Sequence, residues 1–230
     1  MSLETIFNKL RSMSGGRLTQ SQVDAMNIIL DNNKESTIMQ MLGITVKKEE
    51  SASNTSPPNN TLPELSWIAE AKKHLGHKEI GTTNTSPLIE SWQKYLLNSK
   101  HIPDYLYKTA WCGTFVGNAL KLNGISIPKH WYRALDYCNY GVKLSKPAYG
   151  CVAIKTRDGG GHVCFVVGRD VKTGKLVCLG GNQSNMVCYA LYSDSDFKEF
   201  RWYGKTNSPS VERYNLPKLN GITATKVTES

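Results

Sequence analysis

Apolar residues recur every three or four positions through the first half of the chain and gather into short dense runs through the second. The early spacing is helical. Leu3, Ile6, Phe7 and Leu10 share one face, Gly15–Gly16 interrupts it, and Val23, Met26, Ile29 and Leu30 follow behind a Thr19 cap. With the short apolar stretch "STIMQMLGI", these make residues 1–46 a small helical module, a docking or wall-binding unit that buries little surface alone. Residues 47–62, "KKEESASNTSPPNNTL", carry no apolar period and read as a linker.

The body, residues 63–205, begins with helices. "SWIAEAKKHLG" offers Ser66 as cap and Gly76 as stop. "SPLIESWQKYLL" offers Ser86 as cap and Pro87 at the first helical position, with Ile89, Trp92 and Leu96 on one face. "CGTFVGNALKLNG" predicts a third helix ending at Asn123–Gly124, and "KHWYRALDYCNYG" a weaker fourth. Then come β-branched and aromatic runs: "GCVAIKT", "HVCFVVG", "KLVCLG", "MVCYALY" and "KEFRWYG". Turn-forming "RDGGG", "DVKTG" and "GNQSN" separate them, which predicts an antiparallel meander. Helices followed by strands make an α+β domain. Residues 206–230 are an irregular tail, expected to pack loosely.

Composition narrows the class. Hydrophobic residues are 40% and charged residues 20%, ordinary for a globular protein, and no apolar run reaches the roughly 20 residues of a membrane span. The N-terminus lacks a basic patch followed by an apolar core, so no signal peptide is expected. The net charge is +9, and the body holds most of it, with 19 basic residues against 11 acidic. Such a body suits an anionic partner. No basic-aromatic strip accompanies it, which argues against nucleic acid, and Trp111, Trp131 and Trp202 read as core or cleft residues. Six cysteines occur without a CxxC pair, which argues against a zinc site. Cys151, Cys164, Cys178 and Cys188 lie in apolar runs and read as small buried hydrophobes.

Cys112 differs, because it opens a predicted helix directly after Trp111. A helix N-terminus favours negative charge and so the nucleophilic thiolate, and the cysteine's own N–H faces where an oxyanion would form. The alternative is a small buried residue packing a core helix. Of five histidines, His74, His77, His101 and His130 lie in polar stretches, whereas His162 opens a strongly apolar strand after three glycines. A base at the mouth of the sheet could face the helix start. A third group usually orients such an imidazole. The next strand ends at Asn182, the first candidate, with Gln183 and Asp194 as weaker ones.

The blocks "AWCGTFVGNALKLNG", "KPAYGCVAIKTRDGGGHVCFVVG" and "LGGNQSNMV", with "AKKHLGHKEIGTTN" before them, resemble CHAP-type and NlpC-type cysteine peptidases of a phage-associated endolysin group. The resemblance covers about residues 63–203. It implies a papain-like fold, cleavage of an amide bond in the stem peptide of peptidoglycan, Cys112 as nucleophile, His162 as base and Asn182 as orienter. It implies no metal or other cofactor. The "GGRLTQSQVDAMNIILD" segment is similar to helical segments beside other phage lysis domains. Such groups often carry an acid just before the tryptophan–cysteine pair. Here the loop reads "DYLYKTAWC", with Asp104 the nearest acid and Lys108 closer to the cysteine. The expectation is a monomer made in a host cytoplasm and acting on the wall after holin-type release, with contact to an anionic envelope surface. Alternatives are a secreted antibacterial toxin or protein-directed acyltransferase with the same chemistry, or a non-catalytic wall-binding or virion protein.

Overall fold

The computed structural model describes residues 63–80 and 85–220; the expected helical module, the linker and residues 221–230 lie outside them. Among the described residues, three α-helices precede a seven-stranded sheet. They are α1 (Ser66–Lys72), α2 (Pro87–Leu97) and α3 (Cys112–Leu122). The strands are β1 (Val142–Leu144), β2 (Val152–Arg157), β3 (Gly160–Asp170), β4 (Leu176–Gln183), β5 (Met186–Tyr192), β6 (Glu199–Trp202) and β7 (Lys218–Leu219). The α+β expectation is met. Among the described residues, no helix is long and apolar enough to cross a membrane.

Local chemistry accounts for the helix ends. Ser86 caps α2 by accepting the Ile89 N–H at 3.2 Å, Pro87 follows, and Asn98 closes the helix in the left-handed region. Ser66 does not cap α1; Leu65 holds that position with no side-chain hydrogen bond. The fourth expected helix is a 3₁₀ segment, Ala134–Asn139. Helix α3 exceeds the amphipathic expectation, since every residue from Cys112 to Leu120 is buried. Such a helix must be covered all round. It lies on β3 and β4, with α1 and α2 against its other sides.

Strands β2 to β5 form the expected meander, but β6 returns to pair with β2 and carries β1 at the edge. The described part of the tail, residues 206–220, packs more firmly than its composition suggests, because β7 pairs in parallel with the end of β3. Residues 76–80 run along β5, where Gly76 donates to the Val187 carbonyl, Val187 to His77, and Glu79 to Asn185. Two glycines set the seat of α3. A methyl on Gly113 would run into the Trp131 carbonyl oxygen, and one on Gly181 would lie 2.6 Å from both Phe115 and Trp111 side chains. All six cysteines are free, and five are buried; Cys138 is half-buried.

Two consequences are measurable. Gly181→Ala must push α3 off the sheet, at a cost of about 1–3 kcal/mol, read as a lower urea midpoint with unchanged slope. Burial also pushes the Cys164 thiol well up and Cys151 up to about 12. The folded chain therefore keeps thiol protons that the unfolded chain releases, and stability should fall as pH climbs above about 8.5. Urea midpoints at pH 7.5, 9 and 10 test this; Cys151→Ala should flatten the decline.

Candidate functional site

Cys112 is the first residue of α3, behind Trp111, which has no side-chain cap of its own. The first turn therefore presents open backbone N–H groups. Trp111 is fixed by its indole N–H, which donates to Glu79 Oε2 at 2.8 Å. Glu79 reaches it from the segment laid along β5. On the other side, the Tyr137 hydroxyl donates to the carbonyl of Gly113 at 2.8 Å and to that of Trp131 at 3.1 Å. The helix start is clamped from both sides.

The Cys112 sulfur meets the edge of β3. Ile154 gives its carbonyl to the Lys198 N–H on the β6 side and stands opposite Val163. In an antiparallel ladder a residue's N–H and C=O point the same way, so Val163 turns its own toward β4. The recorded β3–β4 pairing stops at Phe165 and Leu179. Near this gap, the backbone of Val163, with that of Gly113 and Cys112 itself, is close enough to favour charge on the Cys112 sulfur. These amides and the charge of Arg157 favour a thiolate, but burial outweighs them and pushes the Cys112 thiol above its ordinary value. The resting sulfur is a thiol at neutral pH.

A cleft of about 510 Å³ opens onto Cys112. Lys108, Arg133, Arg157 and Asp136 bring charge to its lining, and Gly159–Gly161 of the hairpin before His162 form another part of its wall. His162 does not line it. Phe165 of β3 packs edge-on to Phe115 of α3, at 6.3 Å between ring centroids. His162 stands three residues earlier, so alternation turns it to the opposite face. There its ring lies 6.2 Å from Tyr192 and near the Cys164 thiol, and its Nε2 is 3.2 Å from Gln183 Oε1. Among the described residues, no hydrogen bond joins Cys112 to His162.

The side chain that meets the His162 ring is that of Gln183, where Asn182 was the first candidate. Gln183 is fully buried, and its Nε2 donates to the Cys188 carbonyl at 2.6 Å. That fixes the amide, so Oε1 is the acceptor that faces His162, and it also accepts from the Tyr192 hydroxyl at 3.3 Å. The imidazole Nε2 therefore carries the proton, which in a neutral ring leaves Nδ1 as the proton acceptor. A regular strand would have turned Asn182 to this face, as Cys178 and Gly180 are. Instead Asn182 takes φ +56°, and the pairing with β5 slips by one residue between Gly180 and Gln183. The bulge reverses the parity and presents Gln183. Asn182 is buried, and its Oδ1 has no hydrogen-bond partner. Asp194 holds Arg169 with two bonds of 2.9 and 3.0 Å, seven residues or roughly 23 Å along β3 from His162. It takes no part.

Among the described residues, no group of three or more His, Cys, Asp or Glu side chains could hold a metal ion. Comparison with protein-family models, curated proteins and solved structures finds no match to this chain. Sequence reasoning missed Glu79, Arg157 and the Val163 amide. Only the acid expected beside the tryptophan–cysteine pair hinted at Glu79.

The state of Cys112 can be read directly. Its alkylation by iodoacetamide, followed by peptide mass spectrometry, should be slow at pH 7 and climb through a midpoint above that of a free cysteine. A midpoint below 7 would mean that an imidazolium already pairs with the sulfur.

Proposed function

We propose that this chain is a cysteine-dependent amide hydrolase of papain-like type that cuts stem peptides of peptidoglycan, as a phage endolysin does. The observation that carries the reading is Cys112 in the first turn of a buried helix, on an open cleft, with three backbone amides at its sulfur. His162 is the base and Gln183 the residue that orients it.

The sulfur lies at the edge of β3 beside Val163, the residue after His162. Catalysis in this reading begins with a turn of the imidazole toward that edge, where Nδ1 takes the thiol proton. The thiolate attacks the amide carbon, and the oxyanion gathers on the amides of the α3 start. The imidazolium passes its proton to the leaving amine as the C–N bond breaks. Water, deprotonated by the same ring, then releases the acid and restores the thiol.

A second reading, a wall-binding protein without catalysis, is favoured by one observation: thiol and imidazole share no hydrogen bond. Turbidity loss of chloroform-permeabilised Gram-negative cells, with mass spectrometry of released fragments, separates the two. Cys112→Ala should lower the rate at least about a thousandfold and His162→Ala about a hundredfold or more. Gln183→Ala should lower kcat further than Asn182→Gly, which keeps the left-handed backbone. Equal lysis by wild type and Cys112→Ala would refute the assignment. Binding to cell walls without release of fragments would leave the non-catalytic reading in its place.

A further inference from the structure

Tyr132 lines the same cleft as Cys112. Its backbone is pressed against the first turn of α3: a methyl on Gly113 would lie 3.0 Å from the Tyr132 carbonyl carbon and 3.1 Å from its oxygen. The Tyr132 ring therefore projects from a backbone that touches the residue after the nucleophile. The turn that carries it is fixed. Trp131 is buried and its carbonyl accepts the Tyr137 hydroxyl at 3.1 Å, while His130 Nδ1 and Asp136 Oδ2 meet at 2.9 Å across the turn. Two aromatic neighbours flank the Tyr132 ring. Trp131 meets it edge-on at 5.6 Å between centroids and belongs to a buried cluster with Leu96, Ile102 and Leu106. Tyr105, from the 3₁₀ segment Asp104–Lys108, stands at 5.3 Å with its plane tilted by 55°, and it is 48% exposed. The aromatic surface thus runs from the core, past the cleft wall, out to solvent. Charged side chains of Lys108, Arg133 and Asp136 rim the cleft, and the hairpin glycines leave it roomy, since a Cβ on Gly159 or Gly160 would meet nothing within 4 Å.

We propose that Tyr132 and Tyr105 form a subsite for a pyranose ring of the glycan strand, so that the amide presented to Cys112 is the first one after the sugar. The inference names the bond that is cut and rests on the hydrolase reading. A pyranose has an apolar C–H face and an edge of hydroxyls. It matches a site that offers aromatic faces inside a charged rim, whereas an apolar side chain would leave the rim groups without partners and a wholly polar one would make no use of the rings. Aromatic surface left half open beside a reaction cleft is the mark of such a ligand face. Because the turn under Tyr132 is fixed, the ring is in place before the substrate arrives, and little ordering is left for binding to offset. A peptide bond further along the stem would put peptide, not sugar, on the tyrosines. With the sugar seated there, the Cys112 sulfur bonds to the acyl carbon that the sugar carries. The C–N bond to the first amino acid of the stem breaks, its amine leaves with the proton from His162, and water then frees the acid and restores the thiol.

The full-length chain carrying Cys112→Ala binds without turnover, which separates recognition from catalysis. Its probes are muramyl dipeptide and the same dipeptide without the sugar, each titrated by NMR. The sugar-bearing probe should bind about tenfold more tightly. Tyr105→Ala, a change at an exposed position that the core does not depend on, should remove most of that gain, and Tyr132→Ala should remove it as well. Tyr105→Phe, which keeps the ring, should retain it. Affinities that are equal for the two probes or too weak to measure, or a gain indifferent to Tyr105→Ala, overturn the subsite. With the wild-type chain and purified sacculi, mass spectrometry should find whole stems with a free amine on their first residue and glycan strands bare of peptide. Stems cut internally, with the first residue still on the sugar, overturn the assignment of the bond. Sugar preference in a chain that releases no fragments refutes the hydrolase reading and keeps the sugar subsite. Cleavage within the peptide without sugar preference does the reverse.

Discussion

Gly113 and Gly181 allow α3 to press on the Trp131 backbone and on β4 at once, and that double contact fixes where Cys112 lies. Interiors are packed densely enough that a single added methyl must displace its neighbours. The consequence runs outward from the helix. With α3 seated this closely, its first residue reaches the strand edge where β3 and β4 part. Glu79 on Trp111 and Tyr137 on Gly113 hold that start from two sides. The cleft, the cations beside it and the strand-edge amide all owe their relation to the sulfur to this one seat.

The same packing creates a tension in the chemistry. Amides and Arg157 lower the cost of a thiolate, while the burial that brings them close raises it, and burial wins in the resting chain. A group with opposed influences of this kind is poised to respond to a change in its surroundings. A substrate that swells the cleft's polarity, or an imidazole turned to the strand edge, shifts the balance toward the nucleophile. Gln183 bears on that turn. Its amide is locked by Cys188 and shared with Tyr192, so in the resting orientation it sets the ring's proton on Nε2.

The sequence spoke clearly where structure is local. Ser86–Pro87 with the apolar face behind them announces α2, and the β-branched runs announce β2 to β5. Cys112 at a helix start and His162 at a strand start were legible for the same reason. What escaped is non-local. Nothing in "KEFRWYG" says that it returns to β2 rather than continuing past β5, because that pairing depends on how the whole sheet closes. Arg157 reads as an ordinary strand end until the fold sets it beside the sulfur. Glu79 likewise lies 33 residues before Cys112 and meets Trp111 only because its segment is laid along β5.

Gln183 rather than Asn182 meets the His162 ring, and the reason is local. Strand parity counted from Cys178 puts residue 182 on the His162 face, and that count is sound for a regular strand. Gly180 keeps it, since its missing Cβ would sit against both Cys164 and Gln183. One extra residue then enters before the turn, and Ser184 and Asn185, both at positive φ, close the hairpin in the form that two-residue turns favour. Asn tolerates the left-handed region better than most residues, so the chain places it at the bulge for its backbone and gives the following side chain to the imidazole. The longer glutamine reaches across the bulge to His162 while its other end stays on the Cys188 carbonyl. Here the short asparagine in a left-handed bulge marks a reversal of strand parity, and the side chain with one more methylene is the one that meets the ring.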